Sequence, residues 1–350
     1  AAATTKAGYR RAADKHIRPA LGKLTLDRLT AETLDAFYAD LATCREHCHG
    51  RTYVEHRKPG EHECTDKCRL HACRPLAASS IREVHWIISG ALNRAKRWKW
   101  HAVNVAEQAE PPAMPAPKPR PPSTVEAVQI ITAAWADPDW GMLLWLAMMT
   151  GARRGELCAL RWSDVDLVNG VIGIERAIVK VDGVLIEQDT KTHQQRRVAL
   201  DPDTIALLQA HQQRWRERLE LLGGRLTPDE RVFSIAPDAG RPLDPGTVTQ
   251  RYAKLVGRLG IKTSLKSLRH YSATELIAAG VDVRTVAGRL GHGGGGVTTL
   301  RVYAAFRSEA DQRASLAIVS RMPRPPLVAG GREPALSPSP VQFPVPEPKI

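Results

Sequence analysis

The sequence predicts a mainly α protein with a small antiparallel β-sheet, an α+β chain in two domains. Three observations carry this. Apolar residues recur at spacings of three and four through most of the 350 residues. The period changes to two between residues 171 and 200. Seven prolines in the twelve residues from Pro111 to Pro122 separate two stretches that are each long enough for a core. The expected organisation is a helical domain over 1–110, a linker over 111–122, a second domain over 123–322 and a disordered tail over 323–350, where nine prolines begin at Pro323.

In the first domain, Leu26, Leu29, Leu34, Phe37, Tyr38 and Leu41 follow a helical spacing, with Leu21-Gly22 as a break and Thr30 as an N-cap. Residues 79–101 form a further amphipathic helix on Ile81, Val84, Ile88, Ala91 and Leu92. Its end carries Arg94, Lys96, Arg97 and Lys99 beside tryptophans, a composition suited to gripping a nucleic-acid backbone as well as to an ordinary solvated face.

Five of the six cysteines, Cys44, Cys48, Cys64, Cys68 and Cys73, lie in an almost apolar-free insertion over 44–73, with His47, His49, His56, His62 and His71 between them. Three readings stand for it: one structural zinc held by four of these cysteines or by some of them with a nearby histidine, a reduced disordered loop, or disulfides. Without an export signal, disulfides are disfavoured.

The second domain opens with helices capped at Ser123 or Thr124, then WGMLLWLAMMTG, which is apolar nearly all round and therefore a buried helix. Gly151 permits a bend before Arg153, Arg154 and Glu156. VIGIERAIVKV, VLIEQDT and RRVAL read as one three-stranded antiparallel sheet, with Lys191 in the turn joining the last two strands. Helices follow over 201–222 and 247–259, then from Leu265 to a stop at Gly280, then over Val283–Leu290, ending at Gly291. Gly293 to Gly296 cannot hold regular structure; Tyr303 and an amphipathic helix over 308–321 come next.

Lys and Arg total 50 against 37 acids, a formal charge of +13, which favours a polyanionic partner. Nucleic acid is preferred over membrane, because no stretch approaches the roughly 20 apolar residues that span a bilayer. With no apolar leader at the N-terminus, a cytoplasmic location is expected.

Arg153, Lys191, Lys266, Arg269 and His292 flank a single tyrosine, Tyr303. Two arginines can fork the non-bridging oxygens of a phosphate, a lysine can protonate a leaving alkoxide, and a tyrosine whose phenolate is stabilised by cations is a serviceable nucleophile. Such a set permits phosphodiester cleavage with no catalytic cofactor, and a phosphotyrosine keeps the bond energy for rejoining.

By motif and order, TGARRGEL, a hairpin lysine, LKSLRH, RLGHGGGG and TTLRVYA, the sequence resembles the tyrosine site-specific recombinases, or phage-type integrases, over residues 123–321. The resemblance implies a helical core-binding domain followed by a catalytic domain. It implies that Arg153 and Arg269 clamp the scissile phosphate, Lys191 is the general acid, His292 donates to the phosphate, and Tyr303 attacks to give a 3′-phosphotyrosine. Glu156 would support Arg153. The family commonly has a histidine where Lys266 stands; Lys266 shares a helix face with Arg269, and His270, about 100° further round, takes a structural, supporting role. Also implied are a clamp around double-stranded DNA attachment sites, a tetramer on DNA and an accessory directionality factor. The alternatives are a type IB topoisomerase and a catalytically inactive DNA-binding protein.

Overall fold

The structure, a computed structural model, describes residues 3–114, 120–190 and 195–292. Helix α1 (Ala3–Ala12) runs through a π-helical turn, Ala13–Ile17, into α2 (Arg18–Leu21). α3 (Ala31–Thr43) starts where the Thr30 hydroxyl accepts the Thr33 N–H at 3.2 Å. α4 (Ala78–Arg97) packs Ile81, Val84, Ile88 and Leu92 against Leu34, Phe37, Tyr38 and Leu41 of α3, forming the first hydrophobic core. It stops at Arg97, earlier than its basic run suggests, because Lys99 takes a φ of +61° and turns the chain off the helix. Between α3 and α4 lie two short paired strands, β1 (Val54–Glu55) and β2 (Arg69–Leu70).

The second core is built round α6 (Pro138–Thr150), whose Trp140, Met142, Leu143, Leu144 and Leu146 are all buried, as its continuous apolar sequence requires. α5 (Thr124–Ala134), opened by a Ser123–Glu126 capping box, α7 (Arg154–Ala159), α8 (Pro202–Leu221), α9 (Pro245–Arg258) and α10 (Leu265–Ala278) complete its surroundings. α11 (Val283–Leu290) packs on α10 through Ala273, Val286 and Leu290.

The β region differs from the expected single sheet. β3 (Val165–Asp166), β4 (Val171–Ile174) and β7 (Arg196–Ala199) form one antiparallel sheet in the order β3-β4-β7, while β5 (Arg176–Val181) and β6 (Val184–Asp189) form a separate hairpin. The run VIGIERAIVKV breaks at Glu175, so its first half pairs with β7 and its second half with β6. The hairpin turn uses Asp182 and Gly183 at φ +49° and +87°, the conformation that matches strand twist.

The two cores fall on either side of the proline-rich run, yet by contacts the described residues form one compact unit. The reason lies in α1, which packs against β5 and so ties the first helices to the second core. No helix among the described residues is long and apolar enough to cross a membrane.

Candidate active site

Four chain segments meet where α6 and α11 end, α7 begins and α10 passes beneath. α6 ends at Gly151 with φ +62°; a Cβ there would lie 2.4 Å from Leu290 Cδ2, so the close approach of α11 admits only glycine. α11 ends in a Schellman motif: the Gly291 N–H bonds the Gly288 carbonyl at 3.0 Å and the His292 N–H bonds the Ala287 carbonyl at 2.9 Å. That motif fixes His292 immediately beyond the helix.

The two left-handed glycine caps also hold the arginines. Arg269, buried on α10, donates from Nη1 to the Gly151 carbonyl at 2.6 Å and from Nη2 to the Leu290 carbonyl at 2.6 Å. Arg153 donates from Nη2 to the Gly291 carbonyl at 3.0 Å and from Nη1 to Glu156 Oε1 at 2.7 Å, while 31 % of its side chain stays exposed. Adjacent carbonyls, Leu290 and Gly291, therefore bring the two guanidiniums to one corner.

Glu156 is the anchor. Its buried carboxylate accepts the Arg153 backbone N–H at 2.7 Å, as a capping box at the start of α7, and a second fork from Arg196 at 2.6 and 3.2 Å. Burial pushes the Glu156 carboxyl up, but the Arg196 and Arg153 guanidiniums more than offset it and hold it below the usual carboxylate range. Arg196 in turn donates from Nε to the Arg289 carbonyl at 2.9 Å, tying β7 to the end of α11. Sequence reasoning missed Arg196. Its signal was an arginine on the same strand face as buried Val198, where an unpaired charge is too costly to keep.

His292 sits inside this ring of charge. Burial first, then Arg269 and Arg153, lower its pKa to about 4, so the imidazole is neutral at ordinary pH. His270, half-buried, is lowered by burial and then by Lys266 and Arg269. It also contributes, after burial and the two arginines, to the lowering of His292. Lys266 is exposed on the first turn of α10, four residues before His270 and so on the same helix face. Lys191 and Tyr303 lie outside the described residues, as do Gly293 to Gly296, the 308–321 segment and the tail.

Beside this corner runs a cleft lined by Arg153 and Arg154, by Lys180 and Gln188 of the β5–β6 hairpin and by Thr190. Thr4 and Thr5 of α1 line it too. Away from it, Arg94, Lys96, Arg97 and Lys99 are all exposed at the end of α4. Arg94 lies 5.4 Å over the Trp98 ring, and Trp98 packs 4.8 Å from Trp100. The five insertion cysteines do not gather at one point; they divide between two groups.

Comparison with known proteins adds the family. The family model described as the phage integrase family matches residues 126–309, more than half of the chain. The chain belongs to the phage integrase family. A tyrosine recombinase XerC-like protein of Caldanaerobacter subterraneus subsp. tengcongensis is 31% identical over 162 residues, 43% of this chain and 41% of that one. A putative prophage phiRv2 integrase of Mycobacterium tuberculosis is 25% identical over 312 residues, 86% of this chain and 70% of that one. The chain thus spans about two-fifths of the first relative and 70% of the second. Among solved structures, the Tn1549 transposon integrase in complex with transposon right end DNA superposes with a TM-score of 0.68 at 16% identity, covering 91% of this chain and 94% of that one. At that identity the likeness is one of fold.

Proposed function

We propose that this integrase-family chain is a site-specific DNA recombinase that cleaves and rejoins duplex DNA through a 3′-phosphotyrosine intermediate, moving a phage or other mobile element. The observation that carries the reading is the convergence of Arg153, Arg269 and His292 on the corner formed by Gly151 and Gly291. A phosphodiester there meets two guanidiniums that offset the charge building on phosphorus, and a neutral imidazole able to donate a hydrogen bond. Because Glu156 and the glycine carbonyls already hold those groups, little reorganisation accompanies the reaction.

In this mechanism Tyr303 attacks the phosphorus, the 5′ oxygen leaves with a proton from Lys191, and the 3′ phosphate stays on the phenol. The liberated hydroxyl of a partner strand reverses the step. Lys266 and His270 flank the phosphate-binding corner from α10; the neutral imidazole of His270 accepts the phenol proton and Lys266 stabilises the anion. The name of the phiRv2 prophage relative supports a mobile-element role. The exposed cations and tryptophans ending α4 grip the backbone of the same duplex, four protomers pair two sites, and an accessory factor sets direction.

The test uses duplex sites selected by binding from a random pool. Paired sites on one supercoiled plasmid are expected to give joined products of defined length with the wild-type chain and none with Arg269→Ala. Relaxed plasmid without such products would mark a topoisomerase and overturn the reading.

A further inference from the structure

The insertion over 44–73 leaves α3 after Thr43 and returns before α4, and nothing in the recombinase chemistry uses it. It has no core: β1 and β2 hold two residues each, Val54 is 40% exposed and Leu70 74%. Strands that short do not order a polar segment by themselves. Its cysteines and histidines nevertheless fall into two closed groups.

In the first group, Cys44 Sγ lies 3.3 Å from His71 Nε2, Cys73 Sγ 3.8 Å from the same nitrogen, and Cys48 Sγ 3.4 Å from Cys73 Sγ. In the second, Cys64 Sγ lies 3.5 Å from His56 Nδ1 and Cys68 Sγ 3.2 Å from His62 Nε2. Within each group all four candidate ligand atoms are within 4.8 Å of one another. A tetrahedron of sulfur and nitrogen around zinc has edges of about 3.3–3.8 Å, given its bond lengths.

The outer contacts agree. His71 Nδ1 donates to Glu55 Oε1 at 2.7 Å, and Arg74 holds that carboxylate at 2.9 Å. His62 Nδ1 faces the Gly60 carbonyl at 3.0 Å. In both rings the second nitrogen is committed to an acceptor, which directs the Nε2 lone pair into the cysteine group, as metal-bound histidines require. Thiolate and imidazole together select zinc over the hard cations.

We propose that the insertion binds two zinc ions, one through Cys44, Cys48, His71 and Cys73 and one through His56, His62, Cys64 and Cys68. The sites are nested: the first staples the two ends of the insertion at the junction of α3 and α4, and the second closes the loop between β1 and β2. The first also holds the Cys44–Cys48 turn against the N-terminal helix, where Lys15 pairs with Glu46 at 3.1 Å and His16 Nδ1 meets His47 Nε2 at 3.1 Å. Zinc here takes the place of a hydrophobic core.

The full chain, purified reduced and without chelator, is expected to carry two zinc ions by mass spectrometry, both released by a thiol-directed mercurial. Paired Cys64→Ser and Cys68→Ser changes, far from either core, should leave one; so should paired Cys48→Ser and Cys73→Ser changes. In the cobalt-substituted chain the thiolate charge-transfer absorbance should divide between the sites as three cysteines to two. One zinc or none in the wild-type chain, a Cys48–Cys73 disulfide under reducing purification, or two zinc ions retained after loss of Cys64 and Cys68 would each overturn the proposal. The wild-type stoichiometry decides even if a variant fails to fold.

Discussion

Arg196 reaches across 40 residues of sequence to donate to Glu156 at 2.6 Å, and the same carboxylate holds Arg153 at 2.7 Å. One buried acid thus couples β7 to the arginine that opens α7. Removing one partner of a buried pair leaves the other charge stranded, at a cost of about 3–5 kcal/mol. Glu156→Ala and Arg196→Ala are each expected to lose that much in urea unfolding. Replacing both together, Glu156→Leu with Arg196→Met, should recover most of the stability and none of the strand cleavage, because Arg153 has still lost its tether. Full recovery of cleavage in the double variant would show that Glu156 only supports the fold.

His292 gives the acid limb of stability. Its folded-state pKa, about 4, lies below the ordinary histidine value near 6.5, so between those values the unfolded chain binds a proton that the folded chain refuses. Stability is expected to be full above about pH 6.5 and to decline as pH falls toward 4. His292→Gln, which cannot titrate, should flatten the fall in melting temperature between those limits. Parallel profiles for the two proteins would place the imidazole in a different environment.

The end of α4 is expected to act through charge alone. If Arg94, Lys96, Arg97 and Lys99 each neutralise a phosphate, every alanine substitution should lower the slope of log affinity against log salt by about 0.9 and weaken specific and non-specific duplexes alike. The check is a binding titration at several salt concentrations. A slope unchanged after all four substitutions would return this run to a solvated helix face.

Much of this was legible in the sequence, for local reasons. Thr30, Ser123, Gly151 and Gly291 each mark a helix end by chemistry that needs no tertiary context, and the apolar run over 140–149 can only be a buried helix. Other features depend on which strand pairs with which. Nothing local in VIGIERAIVKV says that β4 turns to β7 while β5 turns to β6, so the split at Glu175 stayed hidden. With it went the position of Arg196, whose buried place follows from the β4–β7 register. The cysteines are similar: Cys44 and Cys48 join His71 and Cys73, not Cys64 and Cys68, because two-residue strands too short to leave a period bring Val54 opposite Leu70.

Covalent trapping tests the central claim most directly. A nicked duplex site, which lets the cleaved end diffuse away, is incubated with the chain, and the adduct is digested and mapped by mass spectrometry. A nucleotide-bearing peptide that spans Tyr303, absent with Tyr303→Phe, is the predicted result. Equal adduct from the phenylalanine variant, or nucleotide on a peptide from elsewhere in the chain, would contradict the account.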